Sequence, residues 1–316
     1  MKKPPQQLES SNEQPSTESH FGDLSPLHIP VLLDSVVELL SPKTGESYLD
    51  LTAGYGGHAR AIIEHTAAPE QATLVDRDAN AIAELQSFAE AGAHILQKDF
   101  AASARELVEQ GKQFDMVLVD LGVSSPQLDR ATRGFSFKPG PLDMRMDQTM
   151  MRTAEEIINR SSERELIDIL VTYGEERLSV ARTIARAIVM NRPLHSTNEL
   201  ADIVLATHRG KWQKTHPATR TFQAFRIVVN DELGQIEQLL PLIPKLLTDN
   251  GRIAIISFHS LEDRLVKRYF SEQASAGYEA ELRLLTKKAI RGATADVHNP
   301  RARSASLRAA AKIKRK

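Results

Sequence analysis

The sequence predicts an α/β protein in which a parallel, doubly wound sheet carries an all-helical insertion after its fourth strand. Three observations lead there. Between residues 48 and 122, short apolar runs alternate with helix-length segments, the pattern of consecutive βαβ units. The alternation then stops for about ninety residues that carry helix signals only. A strand-like run, "RIAIISF" at 252–258, then resumes the sheet.

Taken in order, residues 1–24 are polar and rich in Ser, Gln, Glu and Pro, too poor in apolar groups to offset ordering entropy, and are expected to be a disordered tail. "YLDLTA" (48–53) predicts the first strand and "HARAIIEHT" (58–66) its helix. "ATLVDRD" (72–78) predicts the second strand, with a helix over 79–92 closed by Gly92. "HILQKDF" (94–100) is a strand, 104–111 a helix and "FDMVLVDLG" (114–122) the fourth strand. Two capping boxes, Ser162 with Glu165 and Ser196 with Glu199, start helices of the insertion. Between them, Leu178, Ala181, Ala185, Ile188 and Val189 share one helical face. The helical stretch 219–248 contains Pro241 and Pro244 and must break. Asn250-Gly251 predicts a turn before the fifth strand, and Ser260 with Asp263 a capped helix after it. Segments 281–290 and 304–313 alternate and predict an antiparallel pair at the sheet edge.

Composition narrows the function. The chain has 316 residues, 41% hydrophobic, and no cysteine, which excludes a disulfide scaffold, thiol catalysis and thiolate-bound metal. No apolar run reaches membrane-spanning length, and "MKKPPQQLES" lacks the apolar core of a signal peptide, so a soluble cytoplasmic protein is expected. The net charge is −1, but residues 285–316 hold ten Lys or Arg against one acid, Asp296, a formal +9. That stretch is either a solvated basic terminus or a polyanion-binding surface.

The chemistry-bearing residues gather at strand ends. "DLTAGYGGHAR" follows the first strand with Gly54, Gly56, Gly57 and His58, letting backbone and a helix N-terminus approach a ligand. Asp76 ends the second strand, where an acid suits the hydroxyls of a ribose. The spacing fails the G-x-G-x-x-G of dinucleotide enzymes, with Ala at 59, and an acid inside the first strand suits the cationic S-adenosylmethionine better. The bland alternative is a tight turn with a surface acid. Asp99 and Phe100 end the third strand, where they meet an adenine or, for Phe100, simply fill the core. Asp120 ends the fourth strand at the topological switch point and is followed by Gly122, Ser124, Ser125 and Pro126. Amino-group methylation needs its acceptor held in line, and here no Pro-Pro-aromatic follows the acid to hold it.

"VDLGVSSPQLD" (119–129), "RGFSF" (133–137) and "GPLDMRMD" (140–147) resemble the bacterial small-subunit rRNA cytosine-N4 methyltransferases, the RsmH/MraW family. So do "HIPVLLDSVVELL" (28–40), "YGEER" (173–177), "HPATRTFQAFRI" (216–227), "ISFHSLEDR" (256–264) and "NPRARSASLR" (299–308). The resemblance implies a Rossmann-type S-adenosylmethionine-dependent methyltransferase domain at 25–128 and 218–316, interrupted by a helical domain at 129–217. It implies methylation of the exocyclic N4 of one cytidine in the decoding region of 16S rRNA, with the small ribosomal subunit as partner, no membrane, and a homodimer left open. Carried onto this chain, cofactor contacts fall at Gly56, Gly57, His58, Asp76, Phe100, Asp120 and Gln127. Asp120, Ser124 and Ser125 are the expected catalytic group, unless a neighbouring loop holds the amine. Arg133, Arg145, Arg220, Arg226, Arg264, Arg301 and Arg303 are expected to hold rRNA phosphates, each with a solvated helix face as its alternative. His259 either approaches the base or bonds locally, and without further convergent ligands no metal is expected. A non-catalytic RNA-binding protein on the same fold and an NAD-dependent dehydrogenase are the competing functions.

Overall fold

The computed structural model describes residues 30–209 and 215–313; the polar segment 1–24 lies outside them. Eight strands form one sheet: β1 Tyr48–Asp50, β2 Ala72–Asp76, β3 His94–Gln97, β4 Phe114–Asp120, β5 Leu247–Ser257, β6 Leu282–Leu284, β7 Ile290–Arg291 and β8 Ser306–Lys312. Their order is β3-β2-β1-β4-β5-β8-β6, with β7 paired to β8. The first five are parallel, and β8 runs antiparallel between β5 and β6. The order reverses between β1 and β4, so the carboxyl ends of these two strands bound a crevice.

The sheet is buried on both faces, as a parallel sheet requires. Successive side chains alternate. Tyr48, Leu74, Met116, Leu118 and Ile256 pack under the helices Leu33–Leu40 and Gly57–Thr66. Leu49, Val75, Val117, Val119 and Ile255 pack against Leu107, Ile236, Ile243, Val266 and Phe270 on the other face.

Several boundaries move for identifiable reasons. β1 stops at Asp50 because its carboxylate accepts the Thr52 N–H at 3.1 Å and turns the chain. The helix expected over 79–92 is two, Ala79–Glu84 and Gln86–Glu90. The next helix begins at Phe100, not 104, since Asp99 accepts from the Ala102 N–H at 2.8 Å as its N-cap. The cap engages Asp99 Oδ1, and Asp99, expected from the sequence to meet an adenine, does not border the cavity at the strand ends. Asn250-Gly251 is not a loop: it lies within β5, where the register against β4 shifts, and Asn250 takes φ +64°. The helix Ser260–Ser275 is capped by His259 rather than Ser260.

The insertion forms helices Ala154–Arg160, Glu163–Thr172, Leu178–Met190 and Thr197–Thr207, and the carboxylates of Glu165 and Glu199 accept from the Ser162 and Ser196 N–H groups. They build a separate core from Ile157, Leu166, Leu170, Ile184, Ile188 and Leu200. Helix Thr219–Asn230 contributes Phe222 and Phe225 to that core. On packing, this helix therefore belongs to the insertion, although the sequence boundary was expected at 217/218. Full burial of a Phe contributes about 1.5–3 kcal/mol, enough to keep the helix on that side. Among the described residues no helix is long and apolar enough to cross a membrane.

Candidate active site

A cavity of about 690 Å³ opens where the ends of β1, β2, β4 and β5 face the insertion. The glycine turn forms one wall. Gly54 takes φ +53° and donates its N–H to Asp76 at 2.9 Å, tying the turn to the end of β2. Gly56, at φ +78°, faces away from the cavity: a Cβ there would stand 2.5 Å from the Phe88 ring. Gly57 lines the cavity and backs on Pro30, which a Cβ would approach to 2.7 Å. Of the expected cofactor residues, Gly57, His58, Asp76, Phe100, Asp120 and Gln127 all border this space, while Gly56 shapes the turn behind it.

Electrostatics at the centre are set by three aspartates on adjacent strands. Asp50 is 1% exposed, and burial pushes its carboxyl up to about 7 despite hydrogen bonds from the Tyr48 hydroxyl and the Thr52 N–H. Asp120 is pushed well above the usual carboxylate range by burial, then by Asp50 and Glu262. Its remaining exposure is onto the cavity rather than bulk water, so desolvation dominates. Oδ2 lies 3.7 Å from His58 Nδ1, whereas Oδ1 is buried and has no hydrogen-bond partner among the described residues. His58 is oriented by its Nε2, 3.0 Å from the Val31 carbonyl. Asp76 is also raised, chiefly by burial, and accepts from the Gly54 and Asp78 N–H groups. A cation in this cavity would draw Asp120 back to its charged form.

The segment after β4 forms a short helix, Ser125–Asp129. Gln127 Oε1 accepts the Ser124 N–H at 3.0 Å and its Nε2 donates to Asp78 at 2.8 Å, so its amide holds the turn. The Ser124 hydroxyl is buried on the cavity wall, where its oxygen caps the short helix toward the Gln127 N–H in a capping box. Ser125 borders the same space.

The arginines divide into two groups, and three of the expected phosphate contacts are corrected. Arg133 is 4% exposed; it donates to Asp78 at 2.6 Å and to the Met146 carbonyl at 2.8 Å, bracing the insertion against β2. Arg145 is committed to Asp143 through Nε and Nη2, both at 2.8 Å. Arg226 forms a two-point pair with Glu232, again at 2.8 Å. All three satisfy buried or half-buried acids and are not free for a polyanion. Arg220, Arg264, Arg301 and Arg303 are exposed, and Arg301 and Arg303 sit at the cavity mouth. Nor is the basic terminal stretch all free charge: Arg308 is buried against Asp263 at 2.7 Å.

One constellation escaped the sequence. Glu232, His259 and Glu262 bring one oxygen or nitrogen each within 4.8 Å of one another on the cavity wall. His259 and Glu262 were visible as a local pair, but Glu232 arrives from a helix twenty-seven residues earlier in the chain, with no spacing signal. Arg226 already occupies both oxygens of Glu232, so the group reads as a buried charge network rather than a ready metal site.

The family model of the MraW methylase family matches residues 25–313. The chain is 47% identical over 294 residues to the ribosomal RNA small subunit methyltransferase H of Synechocystis sp., covering 90% of this chain and 93% of that one. It is 43% identical over 311 residues to the protein of the same name from Heliobacterium mobile, covering 90% and 99%. A switch-point cavity walled by a glycine turn and two strand-end aspartates, with similarity running nearly from end to end, leaves one assignment: the chain belongs to the MraW methylase family.

Proposed function

We propose that this protein transfers the methyl group of S-adenosylmethionine to the exocyclic N4 of a cytidine in the decoding region of 16S rRNA, acting on the small ribosomal subunit in the cytoplasm. The observation that carries the reading is Asp120: a buried carboxyl at the switch point, with one orphaned oxygen and a charge-disfavouring environment that a cationic ligand would relieve. When bound, the cofactor supplies an electrophilic methyl on a sulfonium. In this reading Gly57 and His58 approach its methionine end, Asp76 accepts from its ribose hydroxyls and Phe100 packs at its adenine. Gln127 supports that pocket from behind through Asp78.

The acceptor nitrogen of cytosine has a delocalised lone pair, so positioning carries much of the rate. Asp120 accepts from the amino group, and the buried Ser124 hydroxyl with Ser125 completes its cradle. A stacked base cannot reach this depth and must be flipped or already unpaired. The exposed Arg301 and Arg303 at the mouth, with Arg220 and Arg264 beyond, hold the backbone. The test is labelled S-adenosylmethionine with unmodified 30S subunits and with naked 16S rRNA, followed by mapping. Label on N4 of a single cytidine is expected; no label, or label on a carbon, refutes the reading.

A further inference from the structure

On the cavity wall beyond Asp120, His259 and Glu262 hold two buried polar atoms with no hydrogen-bond partner among the described residues. Their side chains are 9% and 1% exposed. His259 Nε2 and Glu262 Oε1 lie 3.2 Å apart, but they are not aligned as a hydrogen bond, and neither has another partner among the described residues. Leaving two such groups buried is costly unless a ligand completes them.

Their hydrogen-bonding senses are defined by their surroundings. His259 Nδ1 accepts the Glu262 N–H at 3.4 Å as the helix cap, which assigns the ring proton to Nε2 and makes that atom a donor. Glu262 Oε2 accepts the Phe258 N–H at 2.7 Å and the His259 N–H at 3.2 Å, leaving Oε1 as the free acceptor. Burial disfavours the Glu262 charge, but His259 and Arg226 outweigh it, and the carboxyl is held below its ordinary value. The wall thus presents one donor beside one acceptor, both bordering the cavity that holds Asp120. Cytosine presents the complement on its Watson–Crick edge, an acceptor at N3 beside a donor at N4. Uracil presents the reverse, a donor at N3 and an acceptor at O4.

We infer that His259 and Glu262 read the Watson–Crick edge of the target base, Nε2–H donating to N3 and Oε1 accepting one N4 hydrogen, and so select cytosine over uracil. Asp120 then takes the second N4 hydrogen, and the two carboxylates together fix the amino group in line with the methyl donor. The inference rests on the proposed methylation of cytosine N4. It adds two specificity residues from β5 and its following helix to the strand-four segment.

The experiment is competition of 5′-CMP and 5′-UMP against methyl transfer to unmodified 30S subunits, with the modified base mapped in parallel. Wild type is expected to be inhibited by CMP about ten- to a hundredfold more strongly than by UMP, since a mismatched edge leaves buried groups unpaired. Glu262→Gln keeps its carbonyl on the two backbone N–H groups and turns an NH2 toward the base. It is expected to lose kcat/KM about a hundredfold, to keep its affinity for S-adenosylmethionine, and to abolish the preference for CMP over UMP, since His259 still matches only cytosine N3 while the new NH2 matches only uracil O4. His259→Asn retains a helix cap and is expected to weaken CMP inhibition without inverting the preference; it also stands in should Glu262→Gln fold poorly. Equal inhibition by both nucleotides, no inhibition by CMP, or an unchanged preference in both variants, with label still mapped to N4, overturns the base-reading and leaves the methylation intact. Label on another base overturns both.

Discussion

Replacing Asp50 by Asn tests the electrostatic account of the strand ends without touching the cavity surface. The Asp50 carboxyl is almost fully buried, and desolvation raises it from its ordinary 3.8 to about 7, more than the Tyr48 and Thr52 hydrogen bonds lower it, with Asp76 adding to the rise. The folded state therefore holds a proton that the unfolded chain has released once the pH is above 3.8. The stability this confers is complete below that value and is lost as pH rises to 7. One proton carried across roughly three pH units, at about 1.4 kcal/mol each, is about 4 kcal/mol. Asn keeps an acceptor for the Thr52 N–H and can donate to the Tyr48 oxygen, so the local geometry survives. Urea unfolding from about pH 4.5 to about pH 8.5 (most of the steep region and the plateau above it) should show the Asn variant gaining on wild type by about 1.4 kcal/mol per pH unit up to about 7, then levelling above it. A stability difference that is the same at both ends of the pH range would refute the buried, raised carboxyl.

Other consequences follow from the same geometry. Arg133→Met strands the buried Asp78 carboxylate and should cost about 3–5 kcal/mol in urea unfolding, with Asp78→Asn on top recovering part of it; a loss of rRNA affinity at unchanged stability would restore Arg133 as a phosphate contact. Hydrogen bonds from Gln127, Arg133 and Asn80 hold Asp78 low against its burial, so its contribution is present above the unfolded carboxylate range and should vanish as pH falls below about 4; the Arg133→Met variant should show a shallower acid limb. Asp120→Asn should lower kcat sharply at saturating S-adenosylmethionine; weaker cofactor binding with an unchanged saturated rate would confine Asp120 to binding. Arg301→Ala and Arg303→Ala should each weaken 30S binding and reduce the salt dependence by about one counterion, with thermal melting unchanged because both side chains are exposed.

The strand-and-helix order was legible because it rests on local periodicity. Val117, Leu118 and Val119 had to be buried on both faces, and Ser162 and Ser196 announced their helices through the glutamate three residues on. The glycine turn, Asp76 and Asp120 could be placed at one sheet edge because every parallel strand ends on the same side. Local pattern was least informative where one residue had two possible employers. Asp99 was as good a helix cap as a ligand contact, and only the chain path at Phe100 decided for the cap.

What the sequence determined by itself was the class, a parallel sheet with a helical insertion, and the family. Tertiary structure decided how each charge is spent. Arg133, Arg145 and Arg226 look identical in sequence to Arg301 and Arg303, yet the first three are ion-paired in or beside packed interiors, while the last two are exposed at the cavity mouth, where Arg301 pairs only with the exposed Asp129. The meeting of Glu232, His259 and Glu262 likewise required the insertion to return to the sheet. Burial and partner geometry are long-range properties: they depend on which distant segment arrives opposite a side chain, and the desolvation they impose is what separates a structural charge from a functional one.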